Sequence, residues 1–108
     1  MSDTLGEFEV LVLASVIAAG DNAYGMTIHE EVESLVPPKR NVAIGAVYTT
    51  LGRLEEKGYV RAHTGEATAE RGGRAKRYFR VTGVGQRALH SALGSMKRAI
   101  EIVGGAEA

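Results

Sequence analysis

A chain of 108 residues, 44% hydrophobic and 24% charged, is long enough for one domain with a modest core and too apolar for a disordered segment. It contains no cysteine, which excludes a disulfide framework, a thiolate metal site and a cysteine nucleophile. Thirteen basic and thirteen acidic side chains cancel overall, but residues 1–38 hold seven acids and no Lys or Arg, whereas residues 39–98 hold every basic group and only four acids.

Taken in order, Thr4-Leu-Gly-Glu7 reads as a capping box, with Thr4 as N-cap and Glu7 reaching back. The helix it opens, residues 5–19, is apolar nearly all round: Leu5, Phe8, Val10, Leu11, Val12, Leu13, Val16 and Ile17. A helix without a wet face is buried on several sides. Part of this surface, Phe8 included, is therefore expected against a second subunit; a central core helix is the alternative. Gly20-Asp21-Asn22 breaks the helix and offers a cap for the next. There, Tyr24, Ile28, Val32 and Leu35 form an inward stripe, with His29, Glu30, Glu31 and Glu33 outward. Pro37 and Pro38 end it. Lys39, Arg40 and Asn41 then precede another helix, where basic and amide groups suit phosphate contacts; a solvated turn is the plain alternative.

Residues 41–59, NVAIGAVYTTLGRLEEKGY, are the stretch that the rest presents. Ile44, Val47, Tyr48, Leu51 and Leu54 recur at helical spacing, leaving Ala46, Thr49, Thr50 and Arg53 opposite and Gly45 and Gly52 at the margin. Gly58 follows Lys57 where a left-handed residue would end the helix. The outer face is small, hydroxylated and basic. Such a low profile suits a helix that lies against another surface, and Thr49, Thr50 and Arg53 have the chemistry to touch thymine methyls and pair with guanine. An ordinary solvated amphipathic helix is the competing reading.

Residues 59–63 and 76–81 read as two strands, joined by a polar loop with Gly72-Gly73 near its end. Arg71, Arg74, Lys76, Arg77 and Arg80 crowd ten residues that contain no carboxylate. The first four are expected at phosphates or a narrow minor groove. For Arg80 the strand position leaves a place against the body of the domain as the alternative. Thr82 caps a last helix over about residues 84–103, whose Leu89, Ala92, Met96, Ala99 and Val103, with Leu93 and Ile100 beside them, form a coiled-coil-like seam. Nothing downstream covers that seam, since residues 104–108 read as a frayed tail, so it is expected to be shared across a two-fold axis. Packing back on the first helix is the alternative. A mainly α chain with a two-stranded hairpin directly after a presenting helix has the layout of a winged helix-turn-helix. It divides into a DNA-binding unit (residues 1–82), a dimerisation helix (83–104) and a tail (105–108).

These segments resemble the PadR family of transcriptional regulators. The resemblance rests on LGEFEVLVLASV (5–16), DNAYGMTI (21–28), IGAVYTTLGRLEEKGYV (44–60), ERGGRAKRYFRVT (70–82) and Gly85, in the family's order over about residues 5–90. It implies a homodimeric repressor that binds an inverted repeat in double-stranded DNA and is released by a small lipophilic or aromatic effector. It also suggests that the Tyr48 hydroxyl reaches a phosphate. The length resembles the family's short form with a single C-terminal helix. One departure is Ala43, where relatives often carry a capping Ser, so Asn41 is expected to cap from further back.

Catalytic patterns are missing. His29, His63 and His90 fall on different elements, no metal-ligand spacing occurs, and no serine has the context of a nucleophile elbow. Gly83-Val84-Gly85 is better explained as a strand-to-helix turn than as a phosphate loop. The expectation is a protein without enzymatic activity, metal or cofactor. No apolar run approaches the ~20 residues of a bilayer span and Met1–Glu9 lacks a basic leader, so a cytoplasmic location without membrane contact is expected. The competing function is a winged-helix module that docks a protein, and the basic hairpin argues against it.

Overall fold

The computed structural model describes residues 5–65 and 76–106. The expected Thr4 cap, Gly72-Gly73, Arg71 and Arg74 lie outside them. Four helices and one hairpin follow in order: α1 (Glu7–Ala19), a single 3-10 turn (Gly20–Asn22), α2 (Gly25–Leu35), α3 (Ile44–Glu56), β1 (Val60–Thr64), β2 (Arg77–Val81) and α4 (Gly83–Ala106). This is the winged helix-turn-helix layout with a long C-terminal helix.

α1 begins two residues later than the capping-box reading placed it. Gly6 is the N-cap, and Glu9, not Glu7, reaches back to accept from the Gly6 N–H at 2.9 Å. Its Val12, Leu13 and Val16 enter the core together with Ile28 and Val32 of α2, and Val47, Leu51 and Leu54 of α3. Phe79 and Val81 of β2 and Leu89 of α4 close that core from the other side. α1 is thus chiefly a core helix of its own chain, with Ile17 left exposed.

The strands pair antiparallel, Val60 with Val81 through Thr64 with Arg77. Each begins one residue later than expected, although the Gly65 N–H still donates to the Lys76 carbonyl at 2.8 Å. Tyr24 bridges Tyr78, and the Phe79 N–H donates to the Ala23 carbonyl at 2.8 Å, so β2 is held between β1 and the segment before α2.

The predicted stop of α3 and the predicted cap of α4 are both realised chemically. Gly58 takes φ 79°, the Gly58 N–H donates to the Glu55 carbonyl at 3.0 Å, and the Tyr59 N–H donates to the Leu54 carbonyl at 2.8 Å. That pair of bonds is a Schellman closure, and buried Leu54 and Tyr59 supply its apolar contact. Thr82 caps α4 as expected: its hydroxyl accepts from the Gly85 N–H at 3.0 Å and donates to the Gly58 carbonyl at 2.6 Å. One threonine therefore ties the start of α4 to the end of α3.

α4 is 24 residues, about 36 Å at 1.5 Å per residue, in a molecule with extents of 59 × 34 × 21 Å. Gly105 and Ala106, assigned to the tail from sequence, continue the helix. Its first half packs on the body and its second half projects from it. Among the described residues, no helix is long and apolar enough to cross a membrane.

Candidate nucleic-acid interface

The face that α3 presents is set by what its other face buries. Val47, Thr50, Leu51 and Leu54 are the buried residues. Thr50, expected outside as a base-contacting residue, is only 5% exposed, whereas Tyr48, expected in the packed stripe, is 52% exposed. Ile44 is also at the surface. At 100° per residue the buried side is rotated by roughly 45° from the one the apolar spacing indicates. Thr50 is therefore removed from the presented set. That face now comprises Gly45, Tyr48, Thr49, Gly52 and Arg53, all exposed. It is lower in profile than the sequence reading, because both glycines move from its margin to its centre.

Tyr48 is held in place by a close approach. A Cβ on Gly25, the first residue of α2, would overlap the Tyr48 hydroxyl and the edge of its ring. The tyrosine thus crosses from α3 over the start of α2 while half its surface stays in solvent.

The segment before α3 is tied down from α2. His29, expected outward, is largely buried, and its Nε2 lies 2.7 Å from the Val42 carbonyl oxygen, with Nδ1 3.7 Å from Glu33. A nitrogen that donates to that carbonyl orients the turn carrying Lys39, Arg40 and Asn41, all three exposed. Asn41 does not cap α3. The N-cap is Ala43, without a side-chain bond, so the first amides of α3 get no help from the preceding side chains.

Several cations around this face already hold carboxylates. Arg40 lies 3.6 Å from Glu7, and Lys57 Nζ lies 2.9 Å from Glu9. At Glu9, burial raises the pKa, but the Gly6 N–H bond and the charges of Lys57 and Arg53 outweigh it and hold the carboxyl below its usual value. Arg77, expected at phosphate, donates from Nη2 to both Glu55 oxygens at 2.8 and 3.0 Å. Its guanidinium also sits 5.5 Å from the Phe79 ring centre. Lys76 lies over the Tyr24 ring at 4.0 Å, and Tyr24 meets Tyr78 edge-on at 5.7 Å.

The outer face of the hairpin carries two residues that the sequence reading left open or passed over. Arg80 is 75% exposed on its side chain instead of lying against the body, and its one ion-pair partner among the described residues is Asp21, at 3.9 Å. Arg61 stands directly opposite it in the strand register, and no carboxylate lies within ion-pair distance of Arg61 among the described residues. His63 stacks on Tyr78 at 5.7 Å two residues along the same face. The alternation of Arg61 and His63 in β1 is the signal that could have found them. Among the described residues, no group of three His, Asp or Glu converges as a metal site.

The expected dimer seam divides. Leu89 is buried in the protomer's own core, and Ala92 and Phe8 pack against that core, so Leu89 is withdrawn as an intersubunit residue. Leu93, Met96, Ala99, Ile100 and Val103 remain exposed, with Ile100 at 69%. The early turns of α4 pack against α1, and the later ones have no cover among the described residues.

The fold has close counterparts. A transcriptional regulator from Clostridium thermocellum superposes with a TM-score of 0.71 at 21% identity, over 89% of this chain and 85% of that one. A PadR family transcription regulator from Clostridium difficile gives 0.74 at 16% identity, over 95% and 100%. A PadR-like transcription factor from Bacteroides fragilis gives 0.69 at 22%, over 90% and 86%. No curated protein matches the sequence. The model of the PadR-like transcriptional regulators matches residues 12–91, which run from the middle of α1 to the first third of α4 and so include the whole helix–hairpin unit. With the presented helix, the hairpin and the α4 junction all inside that match, the chain belongs to the PadR-like family of transcriptional regulators.

Proposed function

We propose that the protein is a homodimeric repressor that binds an inverted-repeat operator in double-stranded DNA. The observation that carries this reading is the exposed α3 face, where Thr49 and Arg53 stand among Gly45 and Gly52 with no long acidic side chain before Glu56. That surface can approach a major groove closely, and it offers a methyl, a hydroxyl and a bidentate cation to base edges. Lys39, Arg40, Asn41 and Tyr48 would anchor the phosphate backbone. Lys76, Arg77 and, outside the described residues, Arg71 and Arg74 would do so from the hairpin. The dimer would form through Leu93, Met96, Ala99, Ile100 and Val103 of α4, which places the two α3 helices in successive major grooves about 34 Å apart. A small lipophilic or aromatic effector would act in the apolar space bounded by that face. The reading includes no enzymatic activity and a cytoplasmic location.

The test is a titration of labelled duplex DNA at several salt concentrations. The logarithm of the association constant should fall linearly with the logarithm of salt, with a slope set by several neutralised phosphates. Binding that is absent, or insensitive to salt, would overturn the reading in favour of a protein-docking winged helix.

A further inference from the structure

The Glu55–Arg77 pair is the only ion pair among the described residues that joins α3 to the hairpin. Both carboxylate oxygens receive one guanidinium nitrogen, at 2.8 and 3.0 Å, across 22 residues of sequence. Neither group is buried: the Arg77 side chain is 61% exposed and that of Glu55 36%. A phosphate offers the same paired anionic oxygens to an arginine as this carboxylate does, so the two compete for the same N–H donors. We propose that Glu55 is a built-in competitor for DNA phosphate: it occupies Arg77 in the free protein and must be displaced when the hairpin meets the backbone. This rests on the DNA-binding reading above and adds a residue that sets how tightly any duplex is held.

The physical argument is one of exchange. An exposed carboxylate–guanidinium pair is weak, so the dense charge of a duplex can break it. Once freed, however, the Glu55 carboxylate stands beside the phosphate that replaced it and needs a counterion of its own. The cation released from DNA by Arg77 is then largely offset by one taken up at Glu55. Arg40 with Glu7 at 3.6 Å repeats the arrangement more loosely beside the other end of α3. Affinity for random sequence is thereby restrained while Thr49 and Arg53 are left untouched. Base readout then counts for a larger share of the total.

The experiment compares the parent, Glu55→Gln, Arg77→Ala and the double variant, all as full-length protein, on a duplex of arbitrary sequence over a salt series. Circular dichroism checks that each is folded. Glu55→Gln should bind roughly two- to tenfold more tightly near 0.1 M salt, with a slope steeper by up to about 0.9 for the one phosphate contact no longer offset. In the Arg77→Ala background the same substitution should gain much less, because no guanidinium is there to be released. Three outcomes would overturn the proposal: weaker binding by Glu55→Gln, which would make the pair a latch that orients the hairpin; an unchanged slope; or an equal gain with and without Arg77, which would reduce Glu55 to one negative charge among others. If the parent itself shows no salt-dependent binding, the DNA reading fails and this proposal with it. A parent that binds, with variants that do not differ, sinks only the competitor.

Discussion

Gly25→Ala isolates the contact that joins the presented face of α3 to the start of α2. The new Cβ cannot coexist with the Tyr48 hydroxyl and ring edge in their present place, so the ring must swing into solvent. Because Gly25 has a negative φ at the first position of α2, alanine itself is not strained there and gains up to about 1 kcal/mol of helix propensity. Against this stands the packing of a half-buried tyrosine. Half of its ~200 Å² of surface at ~25 cal/mol/Å² is about 2.5 kcal/mol as an upper figure. The net expectation is a loss of about 1–2 kcal/mol, read by urea unfolding. Combined with Tyr48→Ala, the same substitution should instead be neutral or stabilising, a coupling of about 2 kcal/mol in the double-mutant cycle. DNA affinity should drop in Gly25→Ala alone, since Tyr48 leaves the place from which it is proposed to reach phosphate. Additive stabilities, or a Gly25→Ala protein that is more stable than the parent and binds DNA equally, would show that Gly25 does not hold Tyr48 in place.

Thr82→Val removes both the cap of α4 and the bond to the Gly58 carbonyl and should cost about 1–2 kcal/mol by thermal unfolding, while Thr82→Ser should cost far less. Glu9 has a folded pKa below its unfolded one, so its contribution is present above the ordinary carboxylate range and is lost as pH falls through the lowered value. Glu9→Gln should therefore flatten the acid limb of a stability–pH profile and leave its alkaline side parallel to the parent. Ile100→Asp places a charge on the uncovered part of α4 and should yield a folded monomer in sedimentation, whereas a dimer unaffected by it would move the subunit contact elsewhere.

Much of this architecture is legible in the residue pattern, and the failures share a cause. Gly58 and Thr82 act locally, within a few residues of what they cap, so reading outward from them succeeded. The rotation of α3 did not show because apolar periodicity counts Tyr48 as core and Thr50 as surface. Tyrosine carries a polar tip that can stay wet, and threonine is small enough to fit under a neighbouring helix. Leu89 and Leu93 look equivalent on a helical wheel. Only the distance along α4 at which the body of the domain ends assigns one to the core and the other to the surface. The pairing of Lys57 with Glu9 across 48 residues, and of Arg77 with Glu55, was equally out of reach. A basic run read from sequence looks free, and only the fold shows which of its members already hold an acid.

Whether the exposed side of α3 reads bases is decided by selection from randomised duplex DNA with the parent and Arg53→Ala run side by side. The parent should recover an inverted repeat with half-sites about one helical turn apart. The variant should keep the repeat but lose sharpness at one position in each half-site, worth about 1–3 kcal/mol there. The same motif at the same sharpness from both proteins would make Arg53 a backbone anchor, and no motif from the parent would contradict base reading by α3 outright.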